Sequence, residues 1–79
     1  MTNLEKYRNA FAEALEINEG QVEGLEYQAI PEWDSVGHMS LIAAIEDVFD
    51  IMMDTDDIID FSSYEVGKEI LSKNYGIEF

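Results

Sequence analysis

Trp33-Asp34-Ser35-Val36-Gly37-His38-Met39-Ser40-Leu41-Ile42-Ala43-Ala44-Ile45-Glu46-Asp47-Val48-Phe49 is the stretch that decides the fold. Asp34 and Ser35 are both helix-capping residue types. The apolar residues Leu41, Ile42, Ile45, Val48 and Phe49 recur behind them at helical spacing. The stretch predicts a helix from Asp34 or Ser35 to about Phe49, with Leu41, Ile42, Ile45, Val48 and Phe49 as its buried stripe. Gly37, Ser40, Glu46, Asp47 and Asp50 fall off that stripe. A hydroxyl, Ser35, stands at the start of the helix, where backbone N–H groups lack partners and the helix dipole is positive.

Upstream, Thr2-Asn3-Leu4-Glu5 has the form of a capping box. Leu4, Tyr7, Phe11, Ala14 and Leu15 then predict a helix from about Asn3 to about Glu16. Residues 17–33 hold Gly20, Gly24 and Pro31, the only proline, without sustained periodicity. They read as a long first loop with a short turn around Gln21–Leu25, pinned to the core by Leu25, Tyr27, Ile30 and Trp33. Pro31 keeps Ile30 extended and ends any preceding helix. A loop of this length in a small domain is often functional.

Downstream, Thr55–Asp60 predicts a short third helix with acids at its favourable N-terminal end. Ser62-Ser63-Tyr64-Glu65 reads as a second capping box. It opens a fourth helix with Tyr64, Val66, Ile70 and Leu71 inward, ending near Asn74 and Tyr75 with Gly76 as C-terminal cap. The expected fold is all-α: one domain over residues 1–79, a small four-helix bundle of three longer helices and one short helix, with a long first loop.

Composition narrows the function. Eighteen acids oppose four bases, for a formal charge of −14. The bases Lys6, Arg8, Lys68 and Lys73 lie near the ends, so residues 9–67 hold no base and 15 of the acids. Binding a polyanion needs clustered Lys and Arg, so nucleic acid is excluded as a partner and anionic membrane surfaces are disfavoured. Partners with basic patches are expected, with salt-sensitive encounter. Self-repulsion should lower stability, and salt should restore some of it. With 47% hydrophobic residues and nine aromatics, the chain is no disordered acidic tail. It has no cysteine, so no disulfide or thiolate metal site reinforces its thin core. Its first residues lack the apolar run of a signal peptide, and no run approaches the roughly 20 residues of a membrane span. These features read as a soluble, cytoplasmic, monomeric protein.

The Asp34-Ser35-Val36 motif, the long loop before it, the Ala44-Ile45-Glu46-Asp47-Val48-Phe49 helix end, the acidic Asp54–Asp57 segment and the final helix together resemble the acyl carrier protein family. The resemblance runs roughly from Leu4 to Leu71. It implies a non-enzymatic carrier in which Ser35 takes a covalent phosphopantetheine arm and Asp34 and Val36 complete the recognition motif. Acyl or aminoacyl groups would ride on the arm as thioesters, in fatty-acid, polyketide or other specialised biosynthesis. The implied partners are a phosphopantetheinyl transferase, an acyl- or aminoacyl-loading synthetase, and acyltransferases or synthases with basic patches. Val36 and Met39 would supply apolar contacts to them, and Glu46, Asp47, Asp50, Asp56 and Asp57 electrostatic ones. Val36 where Leu or Met is commoner, Gly37 and Ser40 where acids are frequent, and Trp33 before the motif point to a specialised, stand-alone member. Gly37 resembles the Asp-Ser-Met-Gly pattern of D-alanyl carrier proteins.

Other readings compete with this one. Met39, Met52 and Met53 read first as core packing, and secondly as pliable side chains that open to admit an acyl chain. Asp34, Ser35 and His38 form a poor hydrolase set, because no Gly-x-Ser-x-Gly elbow is present and Asp34 adjoins the serine. His38 reads as a surface residue beside the arm. Asp54, Asp56, Asp60 and Glu65 match part of a calcium loop, but Ile59 stands where the loop needs glycine, so no metal site is expected. An acidic protein-binding module without a prosthetic group is the alternative that charge alone supports.

Overall fold

The computed structural model describes residues 2–79. Helix α1 spans Asn3–Leu15, a single 3₁₀ turn Glu19–Gln21, α2 Ser35–Phe49, α3 Thr55–Asp60 and α4 Tyr64–Tyr75. The fold is an all-helical small bundle. Among the described residues one isolated bridge pairs Glu26 with Ser63, antiparallel.

Local chemistry sets the ends of α1. The Thr2 hydroxyl accepts the Glu5 N–H, and Glu5 reaches back to the Thr2 N–H, closing the capping box. Those bonds, the backbone one first, hold the Glu5 carboxyl below its usual range. Glu16 closes α1 in the left-handed conformation, φ 56°. Gly76 closes α4 the same way.

The core is aromatic. Phe11 sits at its centre, with ring centroids 5.1 Å from Tyr7, 5.2 Å from Trp33 and 5.1 Å from Tyr64, all near edge-on. Such pairs contribute about 0.5–1.5 kcal/mol each beyond burial. Leu15, Leu41, Ile42, Ile45, Phe61 and Leu71 fill the space around them. The buried Tyr7 hydroxyl donates to the Tyr64 carbonyl at 2.7 Å, and burial pushes its phenol far above the usual tyrosine range. Gly67 makes this contact possible, since a Cβ there would overlap the Phe61 ring and the Tyr7 hydroxyl. In a 79-residue chain, large rings on α1 and α4 supply burial that a thin aliphatic core cannot.

Three expectations from the sequence need correction. The cap of α4 is Ser63, whose hydroxyl accepts the Val66 N–H at 3.0 Å. Ser62 cannot serve, because its carbonyl takes the Tyr27 N–H in the bridge and holds the chain extended; Glu65 pairs with Lys68 instead. Val48 is 39% exposed, at the edge of the stripe in the last turn of α2. Of Met39, Met52 and Met53, the first two are exposed and Met53 is buried. The expected turn around Gln21–Leu25 in the first loop is present, with the Leu25 N–H donating to the Val22 carbonyl at 3.1 Å and Gly24 in the left-handed region, φ 74°. The 3₁₀ turn Glu19–Gln21 precedes it, where the Asn18 N–H donates to the Gln21 side-chain oxygen at 3.1 Å. Trp33 pins that loop as expected, fully buried, while Tyr27 stays at the surface.

Candidate functional site

The segment before α2 is closed on itself. The Gln28 N–H donates to the Trp33 carbonyl and the Trp33 N–H to the Ile30 carbonyl. This small ring of chain delivers Trp33 into the core and leaves Asp34 at the helix threshold. Asp34 is the N-cap: its carboxylate accepts the Gly37 N–H at 2.8 Å, and its carbonyl the His38 N–H at 2.8 Å. Ser35 is the first helical residue and is exposed. The capping duty therefore rests on Asp34, and the Ser35 hydroxyl is free of it. Gly37 is required by contact, since a Cβ there would overlap the Glu32 carbonyl oxygen.

His38 is half-buried, contrary to the surface position expected of it. Trp33 precedes the cap and His38 is the fourth helical residue, the spacing of a hydrophobic staple. Their rings lie nearly parallel, 17° apart, with centroids 6.1 Å apart. The Trp33 indole N–H donates to His38 Nδ1 at 2.9 Å, and His38 Nε2 lies 2.8 Å from the Ile58 carbonyl. An indole nitrogen only donates and a carbonyl only accepts, so the ring accepts at Nδ1 and carries its proton on Nε2. Both nitrogens are engaged, which leaves none to act as base for Ser35.

An apolar groove of about 330 Å³ opens beside the serine, lined by Tyr27, Ser35, Met39, Ile58, Ile59 and Phe61 among others. Tyr27 at 36%, Met39 at 57% and Ile59 at 72% exposure are the exposed large apolar side chains that line it, and Val36, 75% exposed, follows the serine in the chain. Isolated exposed apolar residues are ordinary; three bordering one accessible hydroxyl and one groove are less so. A second depression, about 500 Å³, lies between the end of α1 and the first loop around Ile17, Leu25 and Ile30, away from Ser35.

The acids expected to meet partners divide into two sets. Asp47, Asp50 and Asp56 are exposed. Glu46 and Asp57 have partners within the chain. Glu46 accepts the Met53 N–H at 2.9 Å. Asp57 accepts the Asn74 amide at 2.9 Å and the Tyr75 hydroxyl at 2.7 Å. The Tyr75 oxygen in turn accepts the Asp54 N–H at 2.7 Å. Any outside cation reaching Glu46 or Asp57 competes with these bonds. Helix α3 occupies Thr55–Asp60, the first half of the Asp54–Glu65 segment that matches part of a calcium loop, and among the described residues no three metal-ligating side chains converge.

Asp34, Ser35, Val36 and Met39 stand out in the sequence as candidates; Ile59 and Tyr27, which line the groove, and the half-buried place of His38 do not. The staple spacing of Trp33 and His38 was the available signal for the last of these. No helix among the described residues is long and apolar enough to cross a membrane. No family model, curated protein or solved structure matches the chain.

Proposed function

We propose that this chain is a phosphopantetheine-dependent carrier and that Ser35 is its attachment residue. The observation that carries the reading is the exposed Ser35 hydroxyl, relieved of capping by Asp34, at the positive end of α2 and on the rim of an apolar groove. A phosphodiester on Ser35 would lie at a helix N-terminus, where charge is stabilised. The arm would leave along the groove.

Loading forms a bond from Ser35 Oγ to the pantetheine-bearing phosphorus of coenzyme A. The bond from that phosphorus to the bridging pyrophosphate oxygen breaks, and adenosine 3′,5′-bisphosphate leaves. The hydroxyl proton passes to a base of the transferase, with Mg²⁺ on the pyrophosphate. The chain lacks cysteine, so the thiol that accepts acyl or aminoacyl groups as thioesters would be the arm's own. Exposed Val36 and Met39, with Asp47, Asp50 and Asp56, suit a transferase, a loading synthetase and acyltransferases that present basic rims around apolar centres.

Incubation with coenzyme A, Mg²⁺ and a broad-specificity phosphopantetheinyl transferase tests the reading. Intact mass should rise by one phosphopantetheine unit, and Ser35→Ala should remain unloaded while its thermal transition stays near that of the parent. No gain, with a control carrier accepted by the same transferase, would favour an acidic protein-binding module. A loaded Ser35→Ala variant would refute the assignment of the residue.

A further inference from the structure

We propose that His38 is a latch: its Nε2–H holds α3 against the helix that presents Ser35 and so keeps the groove beside the serine closed to its present width. The inference stands on the geometry of α3 and holds whether or not Ser35 is modified.

Helix α3 cannot hold itself. Six residues are far below the length at which a helix persists alone, and none of the six is buried. The segment hangs between two buried anchors, Met53 before it and Phe61 after it. Within the helix, half-buried Ile58 packs against the core. The remaining ties are polar and fall on two sides. On the α4 side, Asp57 is held by Asn74 and Tyr75, and the Asp54 N–H by the Tyr75 oxygen. On the Ser35 side the tie is the bond from His38 Nε2–H to the Ile58 carbonyl, 2.8 Å. That carbonyl belongs to the last turn of α3, where carbonyls lack partners within a helix, so the imidazole caps α3 from another element.

The latch is preset. Only one of the two neutral tautomers places an N–H toward Ile58. The indole N–H of Trp33, itself fully buried, selects that tautomer by occupying Nδ1. Tyr27 and Phe61 set their ring edges against the imidazole at 5.3 and 6.0 Å and restrict its rotation. Ile58 and Ile59 form the α3 wall of the groove, and Ser35 and Met39 the α2 wall. When the latch opens, α3 is left with its α4 ties, its two anchors and the packing of Ile58 on the core, and the wall carrying Ile59 is freer to move from Ser35.

The test is amide hydrogen exchange, read by NMR, on the full chain, with His38→Phe and His38→Gln. Phenylalanine keeps an aromatic ring and removes both hydrogen bonds. Glutamine retains a donor for the Ile58 carbonyl. In His38→Phe the amides of Ile58, Ile59 and Asp60 should exchange about tenfold faster relative to those of α1, the change that one lost hydrogen bond gives. Emission from added Nile red, a neutral apolar dye, should rise as the groove opens. His38→Gln should recover part of the protection. Acceleration of α3 no greater than that of α1, or unchanged dye emission, would make His38 an ordinary packing residue and overturn the proposal. Should His38→Phe not fold, the parent and His38→Gln decide. Two-bond ¹⁵N–¹H correlations of the parent must place the proton on Nε2, and Gln must keep α3 within the exchange range of α1. A proton on Nδ1 removes the latch outright.

Discussion

The two ends of α2 are built to different standards. At the N-terminal end nearly every group has a partner: the Asp34 carboxylate takes the Gly37 amide, Trp33 is hydrogen-bonded edge to edge with His38, and Gly37 lies against the Glu32 carbonyl. At the C-terminal end Asp50 sits in the left-handed conformation, φ 54°, where glycine is preferred. Exposed Asp47 and Asp50 crowd the negative end of the helix dipole, no base stands in the last turn, and only Glu46 beside them is taken up, by the Met53 N–H. Val48 is exposed beside them. Backbone strain and unfavourable charge therefore accumulate at one end, while the other is fixed so closely that Ser35 has little freedom of position. Local stability explains the first end and does not explain the second. Acids retained against local stability fit a surface kept for encounters with basic partners, as the carrier reading requires.

Substitutions at the two ends can break or sharpen this contrast. The largest effect is expected from Gly37→Ala. Helix propensity alone favours alanine by about 1 kcal/mol, but its Cβ meets the Glu32 carbonyl, and overpacking of this kind costs about 1–3 kcal/mol. Urea unfolding should show a net loss, and a gain would mean that the N-terminal end is looser than described. Asp34→Ala should come next, with a loss of about 1 kcal/mol for the missing cap. A loss near zero would hand the capping role to Ser35.

Asp50→Gly should act in the opposite direction. It relieves the left-handed strain and removes a charge from the dipole's negative end, against the entropy that glycine adds to the unfolded chain, for a net gain of about 1 kcal/mol in urea unfolding. A loss would mean that Asp50 has a stabilising partner, and the contrast between the ends would fail. The smallest effect concerns rate. Asp47→Lys with Asp56→Lys should slow loading by the transferase more at low salt than at high salt. Equal slowing at both would argue against electrostatic steering.

The helices were legible in the sequence because their signals are local. The Thr2–Glu5 box, the apolar spacing from Leu41 to Ile45 and the terminal Gly76 act within one or two turns of chain. What the sequence concealed depends on pairings distant along the chain. Ser62 and Ser63 are equivalent caps until the bridge to Glu26 claims the Ser62 carbonyl. His38 reads as a surface residue until the Ile58 carbonyl, 20 positions away, is brought to its Nε2. Met39 and Met52 share the chemistry of Met53, and only the path of the chain around α3 decides which of them is covered. At the candidate site, Ser35 and Asp34 stood out by type and position. The groove did not, because Tyr27, Met39, Ile59 and Phe61 reach it from separate segments.

The central claim is that one hydroxyl among five serines is the attachment point. Its most direct test is fragmentation mass spectrometry of the chain after treatment with coenzyme A, Mg²⁺ and the transferase. The account predicts the phosphopantetheine mass on Ser35 alone, with Ser40, Ser62, Ser63 and Ser72 unmodified. The added mass on any of those four, or a folded chain that gains none beside an accepted control carrier, would contradict it.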